Sequence, residues 1–217
     1  MNPHFIFNCI SAIQNFVFTG DVEASNRYIS GFAQLIRQTL DNSDKPVVAL
    51  SEEIKYLQNY LSLEQMRFSG KFSFTVETDP AIHPDYIYLP PMLLQPLVEN
   101  AIKYAVSPQE AGAEITIATQ LVGQNLRITV SDTGPGLQSA SASNRLSGVT
   151  FDGGEQVSTG VGLANIRDRL AQAYGEAHRF ETMEPAEGGF AVLIEIPFER
   201  REAQPALEAG KLPALAG

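Results

Sequence analysis

Cysteine and basic side chains are scarce in this sequence, and each shortage excludes a class of function. The one cysteine, Cys9, cannot form a disulfide within the chain, and a metal site built from several cysteines is excluded. Lysine and arginine together number 15 against 25 aspartate and glutamate residues, which gives a formal net charge of −10. A general basic surface is therefore missing, and we expect no nucleic-acid partner.

Long apolar runs are missing as well. No stretch reaches the roughly 18–20 apolar residues that span a bilayer, and the sequence has no visible signal peptide or internal repeat. Hydrophobic residues still make up 44% of the 217 residues, which is enough for one ordinary domain with a small helical module. As it stands, the sequence predicts a cytoplasmic chain.

The first 45 residues predict a helical hairpin. Apolar side chains recur at helical spacing over residues 2–19 and again over 22–41, with a short break between the two runs. Cys9 falls on the apolar face of the first helix. The polar side chains of that helix form one stripe, made of His4, Asn8, Ser11 and Asn15. Such a hairpin cannot bury both apolar faces alone and needs a partner surface.

From residue 46 the pattern changes to mixed helices and strands, which predicts an α+β domain over 46–200 and a poorly ordered tail over 201–217. Helices are predicted over 51–68, with Ser51 as N-cap, over 89–106 and over 161–175. Strands are predicted over 71–78, 113–121, 125–132, 178–184 and 190–198. A polar stretch rich in glycine and serine covers 137–159.

The segment VENAIKYA carries polar side chains on an otherwise apolar helix. Glu99 and Lys103 are four residues apart and can pair on a solvated helix edge. Alternatively, Glu99, Asn100 and Lys103 can serve a magnesium and phosphate site, with an amide oxygen for the metal and an ammonium group for the phosphate.

Two glycine-containing segments follow, and each alone is explained by a turn. In SDTGPGL, Asp132 ends an apolar strand, where it could accept a hydrogen bond from an adenine amino group. Gly134 and Gly136 allow backbone angles that other residues resist, so that a base could approach. In STGVGL, Gly160 and Gly162 open a helix whose first N–H groups can bind an anion.

Taken together and in this order, the three segments resemble the N, G1 and G2 boxes of the GHKL ATPases, over about residues 50–198. The resemblance implies a Bergerat-type α/β sandwich that binds ATP and Mg²⁺, with residues 137–159 as a lid. It implies that Asn100 binds Mg²⁺, Glu99 acts as a base and Lys103 lies near the phosphates. Asp132 would hold adenine, and the lid and phosphate loop would be shaped by Gly134, Gly136, Thr159, Gly160, Gly162 and Leu163. Where many members have a threonine in the last strand, this sequence has Phe190 and Ala191.

The opening NPHFIFN, together with LPPMLLQPLVENA and GLANIRDRL, is similar to the autolysin-sensor type of bacterial histidine kinase. That resemblance implies that residues 1–45 are a dimerisation and phosphotransfer hairpin with His4 as phosphoacceptor, since a neutral imidazole can attack a γ-phosphorus. It also implies a homodimer and a partner response regulator, commonly of the LytTR type. Asn8 lies four residues from His4 on the polar stripe. It could orient a water that dephosphorylates the regulator, or it is a plain polar helix position.

The same resemblance predicts that the chain is the cytoplasmic kinase core of a longer membrane receptor, cut at the histidine segment. Such a fragment is expected to dimerise weakly. Two other functions remain open from the sequence. One is a scaffold that binds ATP without catalysis, and the other is an ATPase or serine kinase of the anti-sigma or topoisomerase kind.

Overall fold

The computed structural model describes residues 3–107, 112–136, 160–185 and 188–198, with the side chains of residues 3, 4, 160 and 161 excepted. Its helices are α1 Pro3–Phe18, α2 Val22–Ser43, α3 Leu50–Arg67, α4 Gln95–Ala101 and α5 Gly160–Tyr174. Its strands are β1 Val48–Ala49, β2 Phe72–Thr78, β3 Tyr88–Leu89, β4 Ala113–Val122, β5 Asn125–Asp132, β6 Arg179–Met183 and β7 Phe190–Pro197. The predicted lid over 137–159, including Thr159, and the tail over 201–217 lie outside the described residues.

A five-stranded mixed sheet forms the centre of the α+β fold. The strand order is β2-β4-β5-β7-β6, in which β2 and β4 are parallel and the other neighbours are antiparallel. Alternate side chains of β5 point into the core, as Leu126, Ile128 and Val130 show. The core joins this face of the sheet to apolar side chains of α3, α4 and α5. The mixed α/β class predicted from the sequence is therefore confirmed.

The N-terminal hairpin packs on α3 through aromatic and close backbone contacts. The ring of Phe5 in α1 lies 5.0 Å from the ring of Tyr60 in α3, centroid to centroid. In α2, Gly31 has its carbonyl bonded by the Asn59 side chain at 3.1 Å, and a Cβ there would meet Leu63 at 3.0 Å. Cys9 is fully buried, as its place on the apolar face predicted, and burial raises the pKa of its thiol to about 11. One side of the hairpin thus has its partner within the chain.

Two predicted helix starts were wrong. Ser51 is not the N-cap of α3, because the helix begins one residue earlier, after an extended Ala49 that makes no side-chain cap bond. The Leu50 N–H bonds instead to the Ile87 carbonyl at 2.8 Å, so tertiary structure replaces the local cap. The helix predicted over 89–106 begins only at Gln95. The two prolines before it lack N–H groups, and Met92 has a left-handed φ of 55°, which interrupts any helix.

Within the part of the chain that the structure describes, no helix combines the length and the apolar character that a membrane crossing requires.

We expect Phe5→Ala to lower the free energy of unfolding by about 3–5 kcal/mol, because it removes a buried ring from the contact between α1 and α3. Phe7 in the same helix is 68% exposed, so Phe7→Ala should change the stability of the monomer by about 0.5 kcal/mol or less. Urea unfolding of dilute protein measures both. Equal losses would contradict the packing of α1 on α3.

Candidate functional site

Asp132 ends β5, as the sequence predicted. Its side chain faces the core. Its side chain is buried, and its Oδ1 accepts a hydrogen bond from the Gly134 N–H at 2.9 Å. Thr133, between them, pairs with Glu114 of β4 through its N–H and its hydroxyl oxygen. These bonds tie the turn to the neighbouring strand β4 and fix the carboxyl group of Asp132 at the end of β5, the central strand of the sheet.

Gly134 brings this turn against the segment that follows α4. A Cβ built on Gly134 would lie 2.7 Å from both the Cα and the Cβ of Ala105, a distance that real atoms do not adopt. Ala105 belongs to a π-helical turn, Ile102–Val106, in which the Ser107 N–H bonds to the Ile102 carbonyl at 3.0 Å. Single π-turns within helices are frequent at functional sites. Glycine at 134 is therefore required by a close approach of two segments.

The turn before β7 closes on the same strand end. Gly189 has a φ of 90°, and a Cβ on it would lie 1.9 Å from the Asp132 carbonyl oxygen. Phe190 and Ala191 then pair with Asp132 and Ser131 across the β5–β7 ladder, and both are buried. Neither side chain has a hydroxyl group, so the departure noted in the sequence leaves an apolar position beside Asp132. Gly136, with a φ of 65°, lies within reach of this turn.

Asn100 and the start of α5 come together, although 62 residues separate Asn100 from Gly162 in the chain. The Cβ position of Gly162 lies 3.9 Å from the Asn100 side-chain nitrogen, and Asn100 is half-buried. Gly160 opens the helix, and Leu163 is buried in the core. The three segments singled out in the sequence therefore converge on α4 and the π-helical turn after it.

Glu99 pairs differently from the sequence expectation. Its Oε1 accepts a hydrogen bond from the Gln95 side chain at 2.7 Å, and no ion pair joins Glu99 to Lys103 in the described residues. Lys103 is exposed, with its ammonium nitrogen 5.4 Å from the centre of the Tyr104 ring. The π-helical turn begins between the two residues and changes the spacing that would have paired them. Burial raises the pKa of Glu99, and the bond from Gln95 opposes that shift.

The helix that carries His4 packs on α3 through Phe5, the residue after His4. Phe5 packs on Tyr60, and burial, together with the charges of Glu64 and Glu99, raises the pKa of Tyr60. His4 itself lies in the first turn of α1, and its side chain is outside the described part. Farther along α1, three side chains of the predicted polar stripe line one groove with the end of α3; they are Asn8, Ser11 and Asn15.

The described residues contain no group of three or more His, Cys, Asp or Glu side chains that could hold a metal ion. A single protein ligand fits Mg²⁺ bound to a nucleotide, since Mg²⁺ usually keeps waters and takes one or two protein ligands beside the phosphates. The half-buried amide of Asn100, next to Glu99, offers such a hard oxygen.

Sequence reasoning missed two charged side chains that hold the site's framework. Glu53 has no role in the sequence analysis, but it is completely buried and accepts hydrogen bonds from the loop before α4. Arg169 of α5 bonds to the carbonyls of the same loop. The available signal was the segment before α4, whose prolines and apolar side chains cannot bond to its backbone groups, so partners for those groups had to come from elsewhere.

Comparison with solved structures defines the class of the fold. The catalytic domain of histidine kinase ThkA is 20% identical, with a TM-score of 0.52, over 70% of this chain and 93% of that chain. A structure described as a bacterial phosphotransferase is 15% identical, with a TM-score of 0.56, over 88% of this chain and 90% of that one. The fold is therefore that of a histidine kinase catalytic domain.

Residues 91–200 match the family described as "Histidine kinase-, DNA gyrase B-, and HSP90-like ATPase", and residues 1–72 match the family described as "Histidine kinase". The chain belongs to the histidine kinase-, DNA gyrase B- and HSP90-like ATPase family, which implies that it uses ATP.

Similar curated proteins are sensor kinases. The sensor protein LytS of Enterococcus faecalis is 30% identical over 93% of this chain and 33% of its own length. The sensor histidine kinase YpdA of Escherichia coli is 27% identical over 92% of this chain and 33% of its own length. The sensor histidine kinase/phosphatase LytS of Staphylococcus aureus is 29% identical over 94% of this chain. The chain spans about one third of the length of the curated relatives it matches.

We expect Gly189→Ala to destabilise the protein by about 1–3 kcal/mol more than Gly188→Ala does. Both glycines have a φ near 90°, so both variants carry the same backbone strain, but only at Gly189 would the new Cβ overlap the Asp132 carbonyl. Guanidinium unfolding of the two variants isolates the overlap. Equal destabilisation would show that the close approach is not needed.

A pH dependence follows from the raised pKa of Glu99. The native state holds this proton more tightly than the unfolded state, so the stability that Glu99 contributes is complete below its unfolded pKa of about 4.3 and is lost as the pH rises through the native pKa. We therefore expect the stability of Glu99→Gln, relative to the native protein, to rise with pH between about 4 and 8. Urea unfolding at several pH values measures it.

The exposed Glu114→Gln is the matched control for that experiment. An equal pH trend in both variants would assign the effect to net charge and contradict burial at Glu99 as its cause.

Proposed function

We propose that this chain is the kinase core of a two-component sensor histidine kinase, which transfers the γ-phosphoryl group of ATP to His4 and then to an aspartate of a response regulator. The observation that carries the proposal is the convergence on one helix of Asn100, the turn of Asp132 and Gly134, and the glycine pair of α5. Membership of an ATPase family, with a histidine kinase match over the first 72 residues, supports the same reaction.

In this proposal Asp132 accepts a hydrogen bond from the adenine amino group. The carboxyl group is held in place by the Gly134 N–H, which supports a fixed acceptor at the end of the strand. Gly136 shapes the loop beside the base, while Thr159, Gly160, Gly162 and Leu163 form the phosphate side, with N–H groups of the helix start aimed at anionic oxygens. Lys103 is exposed and reaches the phosphates as a point charge.

Mg²⁺ neutralises charge on the phosphates and orients them for in-line transfer when it is bound. Asn100 would hold it, since an amide offers a hard oxygen ligand. The neighbouring Glu99 accepts the proton that the His4 imidazole loses.

The phosphoryl group is transferred in two steps. A neutral ring nitrogen of His4 attacks the γ-phosphorus, the bond to the bridging oxygen breaks, and ADP leaves with the electron pair. Phosphohistidine passes its phosphoryl group to a carboxylate of the regulator, and the imidazole is restored. We retain Asn8 as a residue that orients water for dephosphorylation of the regulator. Its place in the groove beside α3 supports contact with a partner as well as a plain polar role.

The parent protein is a homodimer in this proposal. The hairpin leaves a set of large apolar side chains exposed, and a second copy would bury them: Phe7, Ile10, Val17, Phe18, Val22, Ile29 and Leu40. Residues 1–45 then form the dimerisation and phosphotransfer module, and 46–200 the ATP-binding domain. The regulator is of the LytTR type and the parent is a membrane receptor with its kinase core in the cytoplasm, as the resemblance implies.

Incubation with γ-labelled ATP and Mg²⁺ tests the reaction. We expect an acid-labile, base-stable label on the native chain and at least a 100-fold lower rate of labelling for His4→Gln, because the attacking nitrogen is lost. An acid-stable label would favour a serine kinase, and bound ATP without any label would favour a scaffold. Either result overturns the proposed function.

Two variants in the same assay assign roles. Asp132→Asn should weaken ATP binding at least 10-fold with the fold intact by circular dichroism, since its amide would present a donor to the adenine amino group. Asn100→Ala should abolish labelling in Mg²⁺. Unchanged affinity or retained labelling would remove the respective residue from the site.

A further inference from the structure

The loop that precedes α4, residues 90–94, is held from two sides by oppositely charged side chains. Glu53 of α3 accepts hydrogen bonds from the Met92 N–H at 2.9 Å and from the Leu94 N–H at 3.0 Å, one on each carboxylate oxygen. Arg169 of α5 donates to the Met92 carbonyl at 3.1 Å and also to the Pro91 carbonyl. We call this arrangement the Glu53–Arg169 clamp.

The loop requires outside support for its conformation. Pro90 and Pro91 have no N–H group, Met92 has a φ of 55°, which is unfavourable for a residue with a side chain, and Leu94 makes no side-chain cap for α4. A left-handed conformation of this kind persists only where the surroundings over-determine it. The clamp supplies those surroundings, with acceptors for the N–H groups and donors for the carbonyls.

Glu53 is completely buried, so its charge depends on its partners. Burial raises its pKa, whereas the N–H groups of Leu94 and Met92 and the positive charge of Arg169 lower it. A buried carboxylate that loses one partner is costly, which ties Arg169 to Glu53 although they belong to different helices. Displacement of α5 would break the hydrogen bonds of Arg169 to the loop and would also remove its positive charge from Glu53.

Arg169 follows Gly162 by seven residues, which is about two turns, so both lie on the same side of α5. At one end of this side Gly162 lies beside Asn100, and at the other end Arg169 bonds to the loop that starts α4. Helix α5 therefore contacts the α4 segment at two points. Arg169 contacts the loop before the first residue of α4, and Gly162 lies near Asn100 at the end of α4.

We propose that Arg169 is a positioning residue of the ATP site, which sets the distance between the glycine pair of α5 and Asn100 by anchoring α5 to the clamped loop. The inference rests on the proposed function in its assignment of Asn100 to Mg²⁺ and of the glycine pair to the phosphates. Arg169 touches neither; it acts through α5 and α4.

The test compares Arg169→Lys and Arg169→Met with Arg167→Lys and Arg167→Met. Arg167 is in the same helix but lies over the ring of Phe180, 5.2 Å from its centre, so it controls for charge and helix propensity. Calorimetric titration with ADP is run with Mg²⁺ and again with EDTA, after circular dichroism has confirmed that each variant is folded. The binding readout does not depend on phosphoryl transfer.

We expect Arg169→Met to weaken ADP binding in Mg²⁺ about 10-fold, which corresponds to about 1.4 kcal/mol, and to reduce the gain that Mg²⁺ gives over EDTA. Arg169→Lys should fall between Arg169→Met and the native protein, because a single ammonium nitrogen keeps the charge but replaces the two guanidinium nitrogens that bond to separate carbonyls. The Arg167 variants should match the native protein. If Arg169→Met does not fold, Arg169→Lys decides alone.

Folded Arg169 variants with native affinity in both solutions, or with equal losses in Mg²⁺ and EDTA, would overturn the positioning role. Native protein that binds ADP but does not label His4 would overturn the proposed reaction, and the binding comparison would still decide the role of Arg169. Native protein that binds no nucleotide would overturn both.

Discussion

The candidate site depends on close backbone contacts at positions that have no Cβ. Gly134 lies on Ala105, and Gly189 lies on the carbonyl of Asp132, at distances that any side chain would make impossible. Because these contacts join main chain to main chain or to a single methyl group, no rotamer change can lengthen or shorten them. Asp132, the π-helical turn and the start of β7 are therefore fixed relative to one another before any ligand binds.

Helix α5, on the proposed phosphate side of the site, is held in a different way. Helix α5 is positioned against α4 by charged side chains, with Arg169 reaching across to the carbonyls before α4 and Glu53 completing the bonds from the opposite side. Hydrogen bonds to long side chains can shift with the rotamers of those side chains, whereas overlapping backbone atoms cannot be relieved in that way. The adenine side of the proposed site is thus set by backbone contacts, and the phosphate side by charged side chains together with the apolar packing of α5.

The sequence allowed most helices and strands to be predicted within a few residues, because each has a local periodicity of its own. It also singled out Asp132, Asn100 and the glycine pair of α5, through three segments whose order resembles the boxes of the GHKL ATPases, and their roles stay predictions. The errors arose where distant residues decide the local structure. Ser51 is not a cap because the Leu50 N–H bonds to the Ile87 carbonyl. Helix α4 begins late because Glu53, 39 and 41 residues away, binds the N–H groups of Met92 and Leu94 in the loop before it. Glu99 bonds to Gln95 and not to Lys103, because the α-helix changes to a π-helical turn between Glu99 and Lys103.

The π-helical turn at Ile102–Val106 makes this segment sensitive to chain length as well as to residue type. A π-turn accommodates one extra residue within a helix, and each residue of an α-helix rotates the next by about 100°. Deleting a single residue here would let the helix wind regularly, and Ala105 would turn away from Gly134 even though every remaining residue was unchanged. Sequence variation in this region should therefore proceed by substitution and not by insertion or deletion.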